Sequence, residues 1–170
     1  MLGARIVEVR TPMIEELAAT YSLIVGGESY ATHAAWLAER PGDYQPLIRE
    51  RLLGFAHQPA REYIEARRAR RRLVLAFRQA MDGVDALLLP TTRLRATPIG
   101  AESIELNGAN VPVRPALLAL TLPFNLTGWP AVSIPAPVGG LPSGVQIVGI
   151  GLDERGILGV AEKIEQTTSA

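Results

Sequence analysis

An α/β fold, a mixed β-sheet flanked by helices, is the class this sequence predicts, and three observations predict it. A long arginine-rich segment carries one apolar stripe at helical spacing, a short and almost wholly apolar run follows between turn signals, and two further strand-like runs joined by a loop lead into a last amphipathic helix. Strands set apart by helices, followed by a strand pair and a closing helix, belong to a layered structure in which helices pack on a sheet. The chain has 170 residues, enough for one ordinary domain with a single core. It reads as helical over about 12–82 and as sheet and loop over about 83–170.

In chain order, residues 4–9 alternate polar and apolar around Ile6, Val7 and Val9 and predict a strand, ended by Thr11-Pro12. Met13, Ile14, Leu17 and Ala18 open a helix. Gly26-Gly27-Glu28-Ser29 reads as a break, with Ser29 near the start of a second helix over about 28–39 whose Ala31, Ala34, Ala35 and Ala38 share a face. Pro41-Gly42-Asp43 ends it, and residues 44–55 form a third helix that stops around Gly54. The fourth helix, over 61–81, is the clearest, because Ala66, Ala69, Leu73, Phe77 and Ala80 line one side.

Asp82-Gly83 terminates that helix, and Asp85-Ala86-Leu87-Leu88-Leu89-Pro90 then reads as a buried central strand covered on both faces. Ile104-Glu105-Leu106 and Val111-Pro112-Val113 predict a hairpin about Asn107-Gly108, with Pro112 placing the second arm at an edge. Residues 131–135 and 144–150 predict two strands close enough in sequence to pair antiparallel. Asp153 is the cap of the last helix, with Ile157, Leu158, Ala161 and Ile164 as its apolar face.

Composition excludes several function classes. Seventeen basic residues balance seventeen acidic ones, so no global field draws in nucleic acid or an anionic membrane. There is no cysteine, which removes disulfides, thiolate metal sites and a cysteine nucleophile and fits a reducing cytoplasm. No apolar run approaches the roughly 20 residues that span a bilayer, and the opening residues read as a strand rather than a leader. His33 and His57 lie in separate helical regions without metal-ligand spacing, and no phosphate-binding or dinucleotide glycine pattern is present, so no metal and no cofactor are expected. Arg67, Arg68, Arg70, Arg71 and Arg72 invite a nucleic-acid-binding reading; an exposed helix face partly neutralised by Glu62 and Glu65 is the better one in a neutral chain.

Three segments in order carry a family resemblance. They are Tyr63 through the arginine-rich helix to Asp85-Ala86-Leu87-Leu88-Leu89-Pro90-Thr91, the string Pro123-Phe124-Asn125-Leu126-Thr127-Gly128-Trp129-Pro130-Ala131-Val132-Ser133-Ile134-Pro135, and Gly140-Leu141-Pro142-Ser143-Gly144-Val145-Gln146-Ile147-Val148-Gly149 with the closing helix. Together they resemble the C-terminal half of the amidase-signature family, over nearly the whole chain. The resemblance implies the C-terminal part of the amidase-signature fold, and hence one partial domain. Family members attack amides with a serine activated through a second serine by an interior lysine, and a desolvated lysine is neutral enough near pH 7 to serve as that base. Those groups precede the matched region in the family. The only lysine here, Lys163, falls in the last helix.

The resemblance therefore implies a C-terminal fragment without the Ser-Ser-Lys unit, inactive alone and contributing scaffold. Asn125, Thr127 and Gly128 are the candidates for a substrate-pocket wall, since Asn and Thr side chains rigidify a turn and Gly permits close approach. Gln146 reads as a satisfied strand hydrogen-bonder. Where the glutamine-using subunits of the family place an aspartate before the Asn-x-x-Gly turn this sequence has Leu118, which implies a general amidase acting on a less polar amide. A small amide is the expected substrate only when the N-terminal half is present. Without that half the chain is expected to self-associate or to pair with it, since an open sheet edge seeks a partner. A non-catalytic interaction module pairing with a separate chain is the alternative.

Overall fold

A computed structural model describes residues 3–12 and 14–168. The chain divides into two compact units, Met13–Leu75 and Met1–Pro12 together with Ala76–Ala170. The first unit is helical. Helix α1 spans Ile14–Glu39, a 3-10 turn covers Pro41–Asp43, α2 spans Pro46–Leu53, and α3 runs over Ala60–Ala80, across the division between the units.

The expected break at Gly26-Gly27 is absent: α1 is one helix of 26 residues. Glycine in a helix interior costs about 1 kcal/mol against alanine, so two in succession need a reason. Side-chain space supplies it. A Cβ on Gly26 would run into the Phe55 ring, and one on Gly27 would meet the Gln58 amide. The Gln58 Nε2 donates to the Leu23 carbonyl at 2.9 Å, tying the chain after α2 to the glycine-bearing stretch of α1. The alanine face fails as well: Ala31, Ala35 and Ala38 are exposed, while Leu17, Thr20, Ile24 and Leu37 are buried. Replacing Gly26 by leucine is expected to destabilise the protein by about 1–3 kcal/mol through overpacking. Urea denaturation of the variant checks this, and Phe55→Ala in the same chain should recover part of the loss.

Helix α3 buries Ala66, Ala69, Leu73 and Phe77 as its pattern predicts, but Ala80 is exposed and Met81 continues the stripe. Two arginines of the cluster are held by acids of α1. Arg67 lies 3.3 Å from Glu28, which also accepts from the Tyr63 hydroxyl at 2.8 Å, and Arg72 lies 3.0 Å from Glu16. Glu65 pairs with Arg61, within α3, at 2.8 Å. These are exposed ion pairs, each worth at most about 1 kcal/mol.

The second unit contains β1 (Ala86–Pro90), β2 (Ser103–Leu106), β3 (Ala109–Pro112), α4 (Val113–Leu118), α5 (Leu122–Thr127), β4 (Ala131–Pro135), β5 (Gly144–Gly149) and α6 (Glu154–Thr168). Strands β2 and β3 form the predicted hairpin, and Asn107 and Gly108 both take positive φ, 53° and 78°, as a two-residue primed turn requires. The main sheet has the order β1-β5-β4, antiparallel throughout. The predicted pair of β4 and β5 forms, but the central strand is β5, and β1 lies at an edge. Apolar continuity in β1 misled because only Leu87 is buried; Leu88 is 57% exposed. Residues 4–9 form no strand, and Ile6 is exposed, so the alternation there has no sheet to serve.

Each face of the sheet has its own core. On one face Leu87, Val148, Phe124 and Met81 cluster, with Val9, Leu89 and Trp129 packed against them. On the other, Ile134 and Ile147 meet Ala161 of α6, with Val132, Val145, Val160 and Ile164 around them. Asp153 caps α6 through Oδ1, which accepts from the Gly156 N–H at 2.8 Å. The buried face of α6 uses Val160 where Leu158 was expected, and Leu158 points outward.

Candidate active-site wall

Strand alternation places Gly144, Gln146 and Val148 on the face that holds Phe124 and Trp129. Gln146 pairs with Leu89 on one side and with Ser133 on the other, so the three form a row across the sheet. Its side chain is 4% exposed and donates through Nε2 to the Leu120 carbonyl at 3.0 Å, fixing the chain between α4 and α5 over the sheet. The satisfied role expected for Gln146 is the one it plays.

One residue earlier on that face, Gly144 has no side chain, and the hydroxyls of its neighbours close over it. Thr91 Oγ1 and Ser133 Oγ lie 2.6 Å apart, linking the end of β1 to β4 across the central strand. A Cβ on Gly144 would sit 2.6 Å from each of those oxygens, so glycine here is a condition of the bridge. The Thr91 N–H also donates to the Gly144 carbonyl at 2.9 Å. Beside this bridge opens a cleft of about 410 Å³, with Pro90, Leu94 and Leu120 as apolar lining and Arg93, Arg95 and Ser143 as polar lining. Sequence reading passed over this cleft. Its residues come from four separated segments, and only the Arg-x-Arg spacing after a strand marks it locally.

Asn125, Thr127 and Gly128 sit in a different setting. The Asn-x-x-Gly string is a helix and its end, not an open loop: Gly128 takes φ 76° and donates its N–H to the Phe124 carbonyl at 2.8 Å, which stops α5. Thr127 Oγ1 donates to the Phe124 carbonyl at 3.2 Å and accepts from the Trp129 N–H at 3.4 Å. Asn125 is exposed on α5. Stopping α5 there lets Trp129 turn inward against Phe77, ring centroids 6.3 Å apart and edge to face. None of the three lines the cleft; Gly128 precedes the first residues of β4, whereas the cleft lies where β5 begins.

The hydroxyl partner of Ser133 is Thr91, and Lys163 is exposed on α6. His33 Nδ1 lies 2.9 Å from the Tyr44 hydroxyl, within the helical unit. Among the described residues no helix is long and apolar enough to cross a membrane.

The fold has clear counterparts among solved structures. The Amidase family model matches residues 1–158, and the chain belongs to that family, the amidase-signature enzymes. It is 34% identical over 152 residues to the 1-carboxybiuret hydrolase subunit AtzE of Pseudomonas sp. (strain ADP), covering 85% of this chain and 32% of that protein. It is 30% identical over 169 residues to a fatty acid amide hydrolase of Oryza sativa subsp. indica, covering 96% of this chain and 28% of that one. A solved amidase crystal structure superposes with a TM-score of 0.89 at 36% identity, covering 98% of this chain and 38% of its own. The chain thus spans about a third of the length of the relatives it matches.

Proposed function

We propose that this chain is the C-terminal part of an amide hydrolase, supplying scaffold and part of the substrate-pocket wall, while the Ser-Ser-Lys unit comes from polypeptide outside these residues. The observation that carries the reading is membership of the amidase family over residues 1–158 in a chain whose single lysine lies exposed on α6. A serine hydroxyl needs a base within hydrogen-bond reach, and losing such a unit costs several orders of magnitude in rate. Asn125 is the residue of the α5 end best placed to meet a substrate or a neighbouring segment, since its side chain is exposed. Thr127 and Gly128 act by holding that end in shape. The substrate class is a small amide of modest polarity, on the strength of Leu118, and the compartment is the cytoplasm.

The test is a panel of aliphatic and aryl amides offered to the purified chain. No turnover is expected, and adding the N-terminal part of the enzyme should restore it. In the restored enzyme Gly128→Val should impair activity, because a β-branched residue at φ 76° pays a strain of about 1–3 kcal/mol that the α5 end must relieve by shifting. Turnover by the chain alone that vanishes in Ser133→Ala would overturn the reading.

A second reading, a non-catalytic module that pairs with a separate chain, draws on the relatives. Two of them are named as subunits, of 1-carboxybiuret hydrolase and of glutamyl-tRNA(Gln) amidotransferase, and a solved relative with a TM-score of 0.81 comes from a vestigial protein complex described as revealing the evolutionary origins of an s-triazine catabolic enzyme. Restoration of turnover by an N-terminal part added as a separate chain would fit both readings. A stable complex without turnover would favour the second.

A further inference from the structure

The cleft at the start of β5 combines two unneutralised cations with an apolar lining, and that combination has a chemistry of its own. Arg93 and Arg95 both line it, and no aspartate or glutamate does. Arg95 is positioned without being neutralised: its Nη1 donates to the Gly139 carbonyl at 2.8 Å, an uncharged acceptor. Gly140, at φ 84°, leaves room for that guanidinium, since a Cβ there would lie 3.1 Å from Nη1. Among the described residues Arg93 has no ion pair. Ser143 adds a hydroxyl, while Pro90, Leu94 and Leu120 form an apolar lining, of which Leu94 is buried.

A guanidinium favours planar, two-oxygen anions, and the weak hydration of its faces suits it to a partly apolar site. A volume of about 410 Å³ holds a small molecule rather than a peptide or polynucleotide. We propose that this cleft binds a small amphipathic carboxylate, its carboxyl group held between Arg93 and Arg95 and its hydrocarbon body against Leu94 and Leu120. The proposal does not rest on the amide-hydrolase reading, because binding here requires no nucleophile.

The experiment is equilibrium dialysis of the 170-residue chain, its folded state confirmed by far-ultraviolet circular dichroism, against 4-phenylbutyrate and 4-phenylbutyramide. Saturable binding of the acid at least ten-fold tighter than the amide is expected. Arg93→Gln should weaken the acid at least ten-fold and leave the amide unchanged, Arg93→Lys should retain most of the affinity, and Arg78→Gln, on α3, should change nothing. Equal binding of acid and amide, absence of saturable binding to folded chain, or loss of the acid in Arg78→Gln as large as in Arg93→Gln would overturn the proposal. Displacement of the acid by equimolar inorganic phosphate would also overturn it, since the apolar lining would then contribute nothing.

Discussion

Phe77→Ala is expected to cost about 3–5 kcal/mol of stability, the range for emptying a fully buried aromatic site. Phe77 is 0% exposed on α3, and its ring meets Trp129 edge to face at 6.3 Å. Truncation removes both the burial and a ring contact worth about 0.5–1.5 kcal/mol. It also frees the residue that the Gly128 turn delivers into the core, so the environment of Trp129 should change along with stability. Thermal unfolding followed by tryptophan fluorescence checks both, with a fall in Tm of roughly 8–16 °C for a chain of this size. Phe77→Leu should lose much less, because most of the volume is kept. An unchanged Tm in the alanine variant would show that the core on this face of the sheet is not cooperative with the rest.

Gly149→Val is expected to reach about 3 kcal/mol, at the upper end of overpacking costs, for a different reason. A Cβ at position 149 would stand 2.5 Å from the Leu152 carbonyl oxygen, 2.7 Å from Ile157 Cγ2 and 3.2 Å from Pro130 Cγ. The first of these is backbone and cannot rotate away. Relief would require moving the turn into α6 away from β5, and with it Ile157, which is 2% exposed. The Gly149 N–H donates to the Pro130 carbonyl at 2.9 Å, so the entry of β4 would shift too. Urea denaturation should show a lower midpoint, and hydrogen exchange should show lost protection at the start of α6. Gly151→Val serves as the control, since a Cβ there meets nothing within 4 Å.

How much of this was legible in the sequence follows from which forces act locally. The arginine-rich helix, the Asn107-Gly108 hairpin, the pairing of β4 with β5 and the Asp153 cap each depend on nearby residues, and each was read correctly from spacing and turn chemistry. The misreadings share another cause. Whether Leu88 is covered depends on how far α6 reaches across the sheet, and whether residues 4–9 pair depends on a neighbouring strand; neither is encoded in the segment itself. Gly26-Gly27 looked like a helix break because the residues that explain it, Phe55 and Gln58, lie about thirty positions on. The candidate site divides the same way. Asn125, Thr127 and Gly128 stand in one contiguous string whose turn chemistry is local, whereas the bridge of Thr91 and Ser133 over Gly144 needs three strands in register before it exists.

The seating of Phe55 on Gly26 also limits how this sequence can change. Positions 26 and 55 are not free to vary separately: a side chain gained at one demands volume lost at the other. Across relatives that keep this helix pair, the two positions should therefore drift as a matched set, large with none or small with small. A chimera that takes α1 from one relative and the 53–59 segment from another would inherit a collision or a hole at this point, even where every other contact between the parents is compatible.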